Sequence, residues 1–186
     1  MRRSSISLMI TVSTLSALGV GLLGPIYPIF ILNRFSASIV DIGLLIAVFT
    51  IVAAMFKAPA GRLVDLYGKE KVLLAGIILG SLCSIFYVFA FDLMHLYPIE
   101  FLFGISYGLR DPSLLSLVVD MSSGDKRGLF LGLFSSAYDI AYAFATFVST
   151  LIVTYFGFET LFLACSGLQA MTGFFVLKSG RSKSAT

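Results

Sequence analysis

Gly61-Arg62-Leu63-Val64-Asp65-Leu66-Tyr67-Gly68-Lys69-Glu70-Lys71 lies between two long apolar runs of this 186-residue chain. Glycines, an acid and several cations at that spacing suit a very short connection between two membrane-length helices. Only glycine takes positive φ without penalty, so it belongs at the tight points of such a connection. Cations there hold it on the cytoplasmic side of a membrane. Asp65 can pair with one of them or cap a helix N-terminus.

The composition leads to the same class. The chain is 58% hydrophobic and 12% charged, with mean hydropathy +0.99. Soluble domains are roughly 45–50% apolar and about 25% charged. Trp is absent, whereas Phe (18) and Tyr (8) are plentiful. Spanning the hydrocarbon core takes about 20 apolar residues. Six segments qualify: 6–32, 39–60, 72–91, 96–119, 129–156 and 161–177. Only helices or closed barrels satisfy every backbone group inside lipid, and these runs are too long and continuous for barrel strands.

Lys and Arg set the orientation. Arg2, Arg3, Arg62, Lys69, Lys71, Lys126, Arg127, Lys178, Arg181 and Lys183 fall on one side of the predicted path, and Arg34 alone on the other. Both termini are therefore expected to be cytoplasmic, in the plasma membrane. The net charge of +3 reflects this bias and does not point to nucleic acid. The first apolar segment is too long for a signal-peptide core and lacks a small-residue cleavage site, so it reads as a retained helix. Residues 1–178 read as one bundle and 179–186 as a polar cytoplasmic tail. Cys83 and Cys165, within predicted helices, read as small buried hydrophobes.

Gly61, Leu63, Asp65, Gly68, Lys69 and Lys71 match the pattern Gly-x-Leu-x-Asp-x-x-Gly-(Lys/Arg)-x-(Lys/Arg). The stretch resembles the loop between the second and third helices of major facilitator superfamily transporters. Gly108-Leu109-Arg110-Asp111-Pro112, Val119-Asp120 and Lys126-Arg127-Gly128 are similar to that family's fourth-helix end and following loop. The resemblance implies an all-α polytopic membrane protein of six transmembrane helices arranged as a 3+3 inverted repeat, one half of the usual twelve. It also implies that Asp65, Asp120, Lys69 and Arg127 form a charge network closing a cytoplasmic gate. Two departures stand out. Glu100 occupies a position, four residues before Gly104, where many drug and sugar exchangers carry arginine. The Gly-x-x-x-Gly-Pro motif of drug antiporters is replaced by Ala141-Tyr142-Ala143-Phe144-Ala145-Thr146, which points away from an antiporter.

Charges inside spanning helices are expensive and mark function by default. Glu100 and Asp111 are eleven residues apart, about three turns, so they share a face of the fourth helix with Gly104 and Tyr107. The face offers two carboxylates and a phenol for binding a cationic group or carrying a proton. On a purely structural reading, Arg110 neutralises Asp111 or a neighbouring acid. Asp139 lies about 16 Å into the fifth helix, near the bilayer midplane, with Arg110 the expected partner. Lys57 is expected to snorkel to the interface, His95 to anchor at the outer surface, and Gln169 to hydrogen-bond between helices. Gly19, Gly21, Gly24, Pro25 and Pro28 in the first helix, with Gly104, Gly108 and Pro112 in the fourth, mark either a transport site between repeats or close helix packing.

No phosphate loop, metal cluster or catalytic triad is legible, so neither enzyme, metal nor cofactor is expected. The expected function is secondary transport of a small solute, coupled to H+ or Na+. Six helices supply one wall of such a site, so a homodimer or a second half-transporter is expected to supply the other, meeting this chain through the second and fifth helices. The rival reading is a membrane protein that packs against partners without transporting, or a remnant of a longer transporter.

Overall fold

The computed structural model describes residues 3–121 and 127–183, with side chains over 11–119, 128–129 and 131–177. Every regular element within them is helical: α1 (Arg3–Leu23), α2 (Tyr27–Phe35), α3 (Ile39–Tyr67), α4 (Lys69–Val88), α5 (Leu93–Met121) and α6 (Arg127–Lys183). The first predicted segment is broken. Pro25 lacks an N–H and Pro28 restrains the residue before it, so the helix stops at Leu23 and restarts at Tyr27. α3 opens with a capping box, in which Asp41 N–H donates to Ser38 Oγ (3.2 Å) and Ser38 N–H to Asp41 Oδ2 (2.8 Å).

The opening motif is folded more tightly than a loop. α3 continues helically through Gly61 to Tyr67, and Gly68 alone makes the turn at φ 88°, ψ 142°. Ala60 and Val64, one turn apart, are buried, so the apolar face of α3 runs on into the motif and carries the helix with it. The expected glycine conformation is therefore present at Gly68 and not at Gly61.

Four helical stretches are long and apolar enough to cross a membrane: Thr11–Phe35, Ile39–Tyr67, Lys69–Val88 and Leu131–Leu177. The last has 47 residues, a length of about 70 Å, more than twice the hydrocarbon core. It is interrupted at Gly157, whose φ of 82° is not helical. The two sides of that break return to the same helix. Gly21 of α1 meets Tyr142 and Ala145, and Gly19 meets Gln169, with Cys165 Sγ 3.8 Å from the Gly19 carbonyl.

α4 is the central element, packing on both α5 and α6, while α3 packs chiefly on α5 and α1 on α6. Its buried positions, Leu73, Gly76, Ile77, Gly80, Cys83, Ser84 and Tyr87, recur at helical spacing. Small residues set the approach distances. Cβ atoms at Gly104 and Gly108 would come within 2.7 Å of the Phe49 carbonyl and 2.8 Å of Phe56 Cβ, so α5 lies almost backbone to backbone on α3. An aromatic cluster fills the core near α2, with Phe30 edge-on to Phe162 at 4.7 Å and Tyr87 stacked on Phe162 at 5.1 Å.

Candidate functional site

Between α1 and α2 on one side and α3 and α5 on the other lies a cavity of about 310 Å³. Leu23, Tyr27, Ile46, Phe49, Phe103 and Tyr107 form much of its wall, and Glu100 and Arg110 are its charged members. A second cavity of about 360 Å³ lies between α1, α5 and the first part of α6, and it shares Val20, Tyr107 and Arg110 with the first. The break at residues 24–26 is what bends α2 over the first cavity and brings Tyr27 to it.

Glu100 is buried, 3% exposed, and accepts a 2.6 Å hydrogen bond from the Tyr87 hydroxyl. Tyr27 packs against Tyr87 with ring centroids 5.6 Å apart. Ten residues along α5, Arg110 is 5% exposed. One of its terminal nitrogens donates to Ser16 Oγ at 2.8 Å and the other to Gln169 Oε1 at 3.5 Å. Gln169 Nε2 in turn donates to Ser84 Oγ at 3.0 Å, which ties α6 to α4. The interhelical bond expected of Gln169 is thus made twice. The stem of Arg110 crosses α4 at Gly76, where a Cβ would come within 2.6 Å of Arg110 Cγ.

Asp111 turns the other way. Arg110 and Asp111 both line the second cavity, but adjacent helical residues differ in direction by about 100°, and the two charges take different partners. Asp111 Oδ2 is 2.7 Å from Lys57 Nζ of α3, and Lys57 also lies 5.5 Å from the Tyr107 ring centroid. Two expectations are corrected here. Arg110 neutralises neither Asp111 nor Asp139, and Lys57 is held across to α5 rather than left to snorkel. Asp139 is exposed on α6 and makes no ion pair among the described residues. Sequence reading missed Tyr87, Ser16 and Gly76 as members of this constellation, and gave Lys57 an interfacial role only.

Residues 9–185 match the sequence profile of the Major Facilitator Superfamily. The chain belongs to that family. It is 24% identical over 151 residues to an uncharacterised MFS-type transporter of Methanocaldococcus jannaschii, covering 81% of this chain and 39% of that protein. It is 27% identical over 169 residues to multidrug resistance protein 2 of Bacillus subtilis, covering 89% of this chain and 42% of that one. The crystal structure of the POT family transporter PepTSo superposes on 97% of this chain and 38% of its own at TM-score 0.77 and 15% identity, which establishes a shared fold. The chain therefore spans about two fifths of the length of these relatives. As a family member with helices long and apolar enough to cross a bilayer, it is an integral membrane protein.

Within this major facilitator chain, the motif residues Asp65, Gly68, Lys69 and Lys71 line a shallow groove at the α3–α4 turn together with Ser116 of α5. Gly61 lies beside it in α3, and a Cβ there would meet nothing within 4 Å. The side chains of Asp120 and Arg127, the other half of the expected gate network, lie outside the described side chains.

Proposed function

We propose that the chain is a secondary-transport unit whose solute path is the cavity between α1/α2, α3 and α5. The carrying observation is the pair of buried charges, Glu100 and Arg110, both on the wall of one otherwise uncharged cavity. Buried charge in a membrane bundle is costly and is retained where it serves a solute or ion path. Glu100, Tyr107, Arg110 and Asp111 are the site residues of this reading. Asp139, exposed on α6, faces a second bundle.

Counting α1 with α2 as one crossing, and the two parts of α6 on either side of Gly157 as two, gives six crossings. They form two inverted triplets, with both termini in the cytoplasm and the bundle in the plasma membrane. Gly61, Asp65, Gly68, Lys69, Lys71, Asp120 and Arg127 form the cytoplasmic gate. Asp139 supports the need for a second bundle, because a carboxylate exposed part-way along a spanning helix is costly against lipid, whereas the exposed apolar residues of α3 are not. A second copy or a separately encoded half covers that face, and rocking of the two bundles coupled to H+ or Na+ moves the solute.

A solute-uptake screen in vesicles carrying the complete assembly tests this reading. Uptake of at least one small solute should be lost in Glu100→Gln and impaired in Asp139→Asn. Uptake unchanged in both would remove the transport assignment and leave the packing protein as the better account.

A further inference from the structure

Arg110 is seated as though for an anion. A guanidinium keeps its charge in any protein environment and offers five N–H donors. Near the middle of α5, its protein partners are neutral oxygens of Ser16 and Gln169, and its Nε has none. A charge at that depth ordinarily meets an opposite charge or lies on a ligand path. The carboxylates of its own helix, Glu100 on the first cavity and Asp111 on the second, take other partners, Tyr87 and Lys57. Gly76 leaves room for the stem, so the helix packing accommodates the side chain rather than crowding it out. One more buried polar atom lacks a protein partner, Ser13 Oγ. Ser13 lines the second cavity and Arg110 lines both, so the two cavities meet at Arg110.

We propose that Arg110 binds the acid group, a carboxylate or phosphate monoester, of an amphipathic anionic solute whose apolar body lies against Phe49, Phe103 and Tyr107. A planar guanidinium takes such groups through paired N–H donors, in a geometry an ammonium cannot copy. The apolar wall selects against small hydrated inorganic ions and for an aromatic or aliphatic body. That the bound anion is a transported solute rests on the proposed transport function; the binding itself does not.

The test is equilibrium binding to the full chain in lipid nanodiscs, with benzoate, phenyl phosphate and the neutral benzamide as probes. At least one of the two anions should saturate and bind about tenfold or more tighter than benzamide, the scale of one charge-assisted contact. Arg110→Gln should abolish that preference, and Arg110→Lys should weaken anion binding several-fold. If Arg110→Gln does not fold by circular dichroism, Arg110→Lys decides, because it keeps the charge and much of the stem. The proposal is overturned if neither anion outbinds benzamide on the unaltered chain, or if anion affinity is unchanged in the folded variants. It is also overturned if anions fail to bind while Arg110→Gln changes the oligomeric mass, which would assign the anion to a carboxylate of a packing bundle. Neutral-solute uptake that still depends on Glu100 would leave the transport reading standing in either case.

Discussion

The Tyr87 hydroxyl of α4 donates to Glu100 Oε1 of α5 at 2.6 Å, and both residues are buried. The bond joins two helices whose own connection is only four residues long, 89–92. It also fixes one carboxylate oxygen on the wall of the first cavity. Tyr87→Phe keeps the ring in its stack on Phe162 and removes only the donor. A buried acceptor that loses its partner costs about 1–3 kcal/mol. Denaturant titration in mixed micelles, followed by circular dichroism, should show destabilisation of that order. An unchanged midpoint would mean that Glu100 finds another donor.

Lys57 and Asp111 make a close ion pair, yet both side chains are 45% exposed. Exposure of that degree limits such a pair to about 0–1 kcal/mol. A double-mutant cycle with Lys57→Met and Asp111→Asn should therefore give a coupling energy below about 1 kcal/mol. A coupling above about 2 kcal/mol would show the pair to be sequestered, and would make it part of the structural core rather than of the cavity rim.

Gly76 and Gly61 make a paired test of close approach. A Cβ at Gly76 would lie 2.6 Å from Arg110 Cγ and 2.9 Å from the Ser106 carbonyl, whereas one at Gly61 meets nothing within 4 Å. Gly76→Ala should destabilise by about 1–3 kcal/mol, the range for overpacking. Gly61→Ala, in the middle of a helix, should be neutral or stabilise by up to about 1 kcal/mol. Equal effects on unfolding would contradict the packing of α4 on α5.

Gly68 is the single turning residue between α3 and α4, at φ 88°. A Cβ there is strained whatever the surrounding space, at about 1–3 kcal/mol. Gly68→Ala should lower the unfolding midpoint although no side chain is displaced, and Gly68→Asn by a similar amount, since Asn is favoured in the αL region and not at ψ 142°. A fully stable Gly68→Ala would show that the turn can be made another way.

The sequence disclosed whatever depends on local chemistry. Apolar runs, the Gly68 turn and the buried acid on α5 could be read from residue type and spacing. The partners of the buried groups could not, because they are set by how helices distant in sequence are rotated against one another. Glu100 meets Tyr87 across thirteen positions, and Arg110 meets Ser16 across ninety-four. The Arg110–Asp111 pairing fails on a local ground that was available, since neighbouring helical residues point about 100° apart. The helical course of 61–67 was hidden by reading its charges as a loop, when Ala60 and Val64 continue the buried face of α3. Gly76 carried a weak signal: with Gly80 it forms a four-residue glycine repeat, the pattern that admits a close neighbour.

The central claim is that the space between α1/α2, α3 and α5 opens to water within the membrane and carries the solute. Cys83 and Cys165 are free and buried, so replacing both with Ala gives a background without reactive thiols. Cys is then introduced either at Phe49 or Phe103, on the cavity wall, or at Met55, exposed elsewhere on α3. Intact membranes are treated with a water-soluble, charged methanethiosulfonate. The account predicts modification of Phe49→Cys and Phe103→Cys and none of Met55→Cys. Equal modification at all three positions, or protection of both cavity positions under every condition, would contradict it.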